Sequence, residues 1–242
     1  MYYVRDAIKK FTASLQPGDL VAMMRTGSGA GASSFKALGG DTVPADEPDT
    51  DSDSDSSEED LQNRAAGLGT FAAMEWIING LAPVPGRKSI ILLSEGFKLQ
   101  TRAEGVDTLN GSLTDPLRRL TDQASRAGVV IYSIDPRGLP SLALGAADDA
   151  RNPRRAAREQ EKRTRDYQQS QEPLLTLAAD TGGRAFMNSN DVDDSLHRVL
   201  DDQAGFYLLG YNPEDATFDR KYHKIVVKVK RKGAEVRSRN AL

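Results

Sequence analysis

The apolar run Ile90-Ile91-Leu92-Leu93 stops abruptly at Ser94-Glu95-Gly96, so a hydroxyl and a carboxylate stand where a buried strand should end. Two other strand candidates close on related chemistry. Leu20 to Met24 runs on to Thr26, and Val129 to Ile134 stops at Asp135. If the three strands are parallel, Thr26, Ser94, Glu95 and Asp135 share one sheet edge, the carboxyl edge at which open α/β sheets bind ligands. Thr70 opens a helical pattern of Phe71, Met74, Ile78 and Leu81, and the loop before it belongs near that edge. Hydroxyls and carboxylates in a chain without cysteine suit a hard cation such as Mg2+, which keeps several waters and takes few protein ligands. The same residues have a plainer reading, with Thr70 as a helix cap and Asp135 in an Asp-Pro turn. Spacing alone leaves both open.

Other chemistries find less support. Gly27, Gly29 and Gly31 follow a strand candidate and invite a phosphate-cradle reading, with a nucleotide-binding or hydrolytic enzyme as its consequence. The loop lacks the P-loop lysine and the dinucleotide spacing, and it leads into Ser, Ala and acidic residues. Hydrolytic triads have only His197 and His223 to draw on, and no G-x-S-x-G elbow is present. The Lys/Arg strip from Arg220 to Arg239 alternates with Ile225, Val227 and Val229, as on the wet face of an edge sheet.

The elements that must position these residues alternate helix and strand. Val4, Ile8, Phe11 and Leu15 form a helical stripe that Pro17-Gly18 ends. Residues from Pro83 to Gly86 turn into the Ile90 strand. A helix capped by Asp115, with Pro116 in its first turn and Gly128 at its end, leads into the Val129 strand. An exposed helix is expected over about 153–169, a second from Leu174 to Asp180, a strand over 184–187, and a helix capped by Asn190 or Asp191. The acidic tract from Asp49 to Asp60 has almost nothing apolar to bury and reads as a disordered insert. This order predicts an α/β fold, a doubly wound, Rossmann-like and mostly parallel sheet flanked by helices, with a C-terminal antiparallel β extension.

A chain of 242 residues with 38% hydrophobic content can bury a sizeable core. Its net charge of -3 gives no global case for nucleic acid, and no stretch approaches the roughly 20 apolar residues of a membrane span. The N-terminus lacks the apolar core of a signal peptide.

Taken together, PGDLVAMMRTGSGAG (17–31), PGRKSIILLSEGF (85–97), RAGVVIYSIDPRGL (126–139), LAADTGGRAF (177–186) and DDQAGFYLLGYNP (201–213) resemble a known family. They are similar to von Willebrand factor A (VWA) domains, specifically to the VWA-related proteins abundant in acidobacteria. The resemblance implies one VWA-like domain over 1–204, with an acidic insert at about 41–66 and a polar helical excursion at about 137–170. Residues 205–242 would pack on it as a β extension. It implies a non-enzymatic domain that binds a protein partner. It also implies a metal-ion-dependent adhesion site, in which Thr70 and Glu95 would serve as ligands for Mg2+ or another divalent cation. The D-x-S-x-S motif of that site is absent, and Glu95 replaces the usual Asp. The expectation is therefore a degenerate site in a chain that lacks the first strand of the family. A truncated, non-autonomous fragment is the accompanying alternative, extracytoplasmic if an export signal precedes it.

Overall fold

The computed structural model describes residues 2–15, 19, 21–25, 33–37, 56–99, 102–103, 106–107, 112–140, 153–204, 227–231 and 236. In chain order the helices are α1 (Tyr2–Ala13), α2 (Ser56–Leu81), α3 (Thr114–Ala127), α4 (Pro153–Thr181) and α5 (Val192–Ala204). The strands are β1 (Ala22–Arg25), β2 (Ser33–Ala37), β3 (Lys88–Leu93), β4 (Arg102–Ala103), β5 (Val106–Asp107), β6 (Val129–Ile134) and β7 (Ala185–Phe186).

The aliphatic runs of β3 and β6 pair in parallel, in register from Lys88 opposite Val129 to Leu93 opposite Ile134. β7 adds in parallel to the far side of β6, with Ile134 opposite Phe186, giving the order β3-β6-β7. The expected α/β architecture is present: an all-parallel sheet with helices on both faces.

Alternation along β6 builds two cores. Val129 and Ile131 join Ile90 and Leu92 beneath α2, α3 and α4, where Phe71, Met74, Leu120, Leu174 and Leu177 pack. Tyr132 and Ile134 face the other way, against Ala7 of α1 and Val192, Leu196 and Val199 of α5. Each fully buried aliphatic side chain of this kind contributes about 2 kcal/mol. On the second face the Tyr132 hydroxyl donates to Asp202 at 2.5 Å and accepts from Arg87 Nη2 at 2.9 Å. That bond ties the end of α5 to the entrance of β3.

Several expectations are corrected. The first strand candidate does not join the parallel sheet; β1 pairs antiparallel with β2 in a separate ribbon, broken by a register shift between Met23 and Arg25. The link from Arg25 to Ser33 is too short for a parallel crossover, which takes roughly a dozen residues or more, so β1 and β2 pair with each other antiparallel. Helix α2 begins at Ser56, not near Thr70, so it takes in the end of the tract expected to be a disordered insert. Ser-Ser-Glu-Glu-Asp is a favourable opening for a helix, because acidic residue types suit the positive end of its dipole. In α3 the side chain of Asp115 is not the cap: Leu113 holds that position and Asp115 lies in the first turn, while Gly128 ends the helix at φ 70° as expected. The two helices expected on either side of residue 170 are one, α4, with Pro173 inside it. The β extension expected over 205–242 is not among these corrections, because it lies almost wholly outside the described residues.

Candidate functional site at the carboxyl edge of the sheet

Two turns leave the sheet side by side. At the end of β3 the Ser94 N–H donates to Ile134 O at 3.1 Å, continuing the ladder by one residue. The Ser94 hydroxyl accepts the Gly96 N–H at 3.0 Å, which closes a tight turn and leaves Glu95 exposed at its tip. Gly96 has φ 84°, and a Cβ there would sit 1.9 Å from the carbonyl oxygen of Ser170 on α4. No other residue type fits that approach without displacing backbone.

At the end of β6 the Asp135 N–H donates to Phe186 O at 2.9 Å, and its carboxylate turns inward, 1% of the residue remaining exposed. Asp135 Oδ1 accepts the backbone N–H of Arg137 at 3.0 Å, the Asx-type closure expected of an Asp-Pro turn. The Arg137 guanidinium then folds back on the same carboxylate. Nη2 donates to Oδ2 at 2.7 Å, and Nε donates to Oδ1 at 3.0 Å. Gln171 Nε2 donates to Oδ2 at 2.8 Å. Burial pushes the Asp135 carboxyl up, but the hydrogen bonds from Arg137 and Gln171, with the adjacent positive charge, hold it below its ordinary value.

Helix α4 supplies the rest. Arg137 lies over the Tyr167 ring, 4.3 Å from its centroid, and Nη2 also donates to the Ser170 hydroxyl at 2.9 Å. The Tyr167 hydroxyl donates to Asn188 Oδ1 at 2.8 Å, and Gln171 Nε2 reaches the same oxygen at 3.1 Å. The backbone oxygen of Ser170 accepts the Phe97 N–H at 3.2 Å, so this one residue grips both turns. Pro173, three residues on inside the helix, has no N–H to give the carbonyl of Gln169 four residues back. From α1, the Tyr3 hydroxyl donates to Pro136 O.

Of the residues expected at the site, Ser94, Glu95 and Asp135 do share this edge. Thr70 is not at a helix start. It lies inside α2, buried, and its hydroxyl donates to Ala66 O at 2.9 Å within the helix. Thr26, Gly27, Gly29 and Gly31 lie outside the described residues.

A divalent cation fits these groups poorly. Asp135, the only buried carboxylate of the set, is already neutralised by a guanidinium, and the Ser94 oxygen is engaged by Gly96. Among the described residues no three acidic or histidine side chains converge as a metal-binding group.

Sequence reasoning missed Arg137, Tyr167, Ser170, Gln171 and Asn188. One signal was present: Tyr167, Ser170, Gln171, Leu174 and Ala178 recur at helical spacing, so polar residues extend an apolar stripe toward the sheet edge. Compared with protein-family models, curated proteins and solved structures, the chain matches none.

Proposed function

We propose that this chain is a VWA-like, non-enzymatic interaction domain that binds a protein partner at the carboxyl edge of its sheet, with a degenerate adhesion-type site. One observation carries the reading: the Asp135 carboxylate is held by Arg137 and Gln171. A carboxylate so occupied is neither a free general base nor an open metal ligand. The positive charge at this edge belongs to the chain itself. Glu95 stands exposed beside a rigidly braced surface, and preorganised polar surfaces of that kind lower the ordering cost of association.

The absence of cysteine makes a direct test simple. A single cysteine placed by Glu95→Cys carries a photo-cross-linker to the carboxyl edge. Val84→Cys, exposed in the turn before β3, carries it to the opposite end. In extract of the native host, a discrete adduct is expected at position 95 and not at 84. Identical adducts at both positions, or a thermal shift with nucleotide and none with Mg2+ or Mn2+, overturn the reading.

A further inference from the structure

From Ala65 onward, helix α2 has no polar face. Every residue from there to Leu81 except Thr70, Glu75 and Asn79 is apolar or glycine. Thr70 is buried, and Asn79 Oδ1 accepts from Gln123 of α3 at 2.6 Å. A helix that is apolar all round is ordinarily buried on every side. Here one side packs on the sheet and beside α3, while Ala65, Leu68, Gly69, Ala72, Trp76 and Gly80 are exposed. Trp76 keeps 54% exposure and Leu68 41%, so two large apolar side chains stand in water on one helix.

Four of the exposed residues, Leu68, Ala72, Trp76 and Gly80, form one row, each the helical neighbour of the next. Size alternates along it: large, small, large, small. The last place is open, since a Cβ at Gly80 would meet nothing within 4 Å. Turned end for end, such a row is its own complement. Two copies laid antiparallel bring Trp76 of each over Ala72 of the other, and Leu68 over Gly80. A parallel pairing in register would set tryptophan on tryptophan.

We propose that this face of α2 is a dimerisation surface whose occupant is α2 of a second copy, paired antiparallel along the row from Leu68 to Gly80. The contact is isologous, so it closes at two copies. Rows of residues four apart are the ridges by which helices commonly pack, and laying one along the other crosses the helices at about 50°. The row is about 18 Å long, enough to cover only a fraction of the roughly 800 Å2 per partner in a stable complex. The dimer is therefore weak, with a dissociation constant on the order of 100 µM. It is independent of the carboxyl-edge reading.

Trp76 is the only tryptophan in the chain, so the tryptophan emission of the unmodified protein reports this face alone. Emission and sedimentation are followed from about 1 µM to about 1 mM. Sedimentation is expected to pass from monomer to dimer, with the emission maximum moving to shorter wavelength over the same range. Ala72→Glu sets a charge under the facing Trp76 and should weaken association about tenfold. Gly80→Leu fills the place that Leu68 would take and should weaken it about fivefold. Leucine suits an exposed helix position better than glycine, so the urea midpoint of that variant should be no lower than wild type. Register is read with single cysteines, since the chain has none of its own. Leu68→Cys and Gly80→Cys proteins, mixed and oxidised, should cross-link to each other and neither to itself. A protein that stays monomeric to about 1 mM overturns the proposal and leaves the face to a different protein. A dimer with unchanged emission, assembly beyond two copies, or self-cross-linking of the Leu68→Cys protein also overturns it. So does undiminished association of both Ala72→Glu and Gly80→Leu.

Discussion

The turns after β3 and β6 begin from the same material and end as opposites. Each follows a buried strand, places an acid near its start, closes on a side-chain oxygen two residues before the bonded N–H, and contains a glycine at positive φ, 84° at Gly96 and 76° at Gly138. Yet Glu95 points to solvent, while Asp135 is buried with a guanidinium on it. The difference lies in what α4 offers each turn. To the first it presents a backbone carbonyl, which fixes the chain path and leaves the acid alone. To the second it presents Tyr167, Ser170 and Gln171, which draw Arg137 and Asp135 inward. A carboxylate at a strand end is therefore a ligand or a structural anion according to the helix face that meets it.

The largest break in that comparison comes from Gly96→Ala. The added methyl meets the carbonyl of Ser170 at 1.9 Å and forces an alanine into left-handed backbone, so β3 must part from α4. Strain and overpacking together predict a loss of about 4 kcal/mol in urea unfolding. Gly138→Ala is the matched control, because its methyl meets Asn190 Oδ1, a side-chain atom that can move aside at the loss of its bond from the Leu139 N–H. It should cost about 2 kcal/mol. Equal costs at the two positions would mean that α4 does not pin the first turn through its backbone.

Asp135→Asn breaks the second turn instead. It leaves the Arg137 guanidinium without its counter-charge and sets an amide donor against donors, at a predicted cost of about 3 kcal/mol near pH 7. The sign with pH follows from the depressed carboxyl. Its contribution is complete above the unfolded value of about 3.9 and is lost as pH falls through the folded value. The gap between wild type and Asp135→Asn in urea should therefore narrow progressively below about pH 4. A gap that is constant from pH 7 to pH 2.5 would show that the carboxylate form of Asp135 is not what holds Arg137.

These two turns also mark how far the sequence could be read. Apolar runs located β3 and β6, because burial on both faces leaves little choice of residue type. Ser94, Glu95 and Asp135 were legible as edge residues for the same reason. The helix start at Ser56 was not, since charge repulsion and helix-dipole stabilisation act oppositely on the same acidic tract. Nor was the fate of Leu20 to Met24, whose pairing depends on the length of its link and not on its own composition. The grip of α4 on Arg137 was hidden for a further reason. Tyr167, Ser170 and Gln171 lie some 30 residues from Arg137 in the chain, and only their helical spacing with Leu174 announced a shared face.

Glu95→Gln is the finest cut, because it changes the charge at the exposed tip and nothing that holds the turn. The Ser94 hydroxyl, the Gly96 N–H and the Ser170 carbonyl keep their bonds, so stability in urea should stay within about 0.5 kcal/mol of wild type. A larger loss would mean that the Glu95 carboxylate, and not only the Ser94 hydroxyl and the Ser170 carbonyl, holds the first turn.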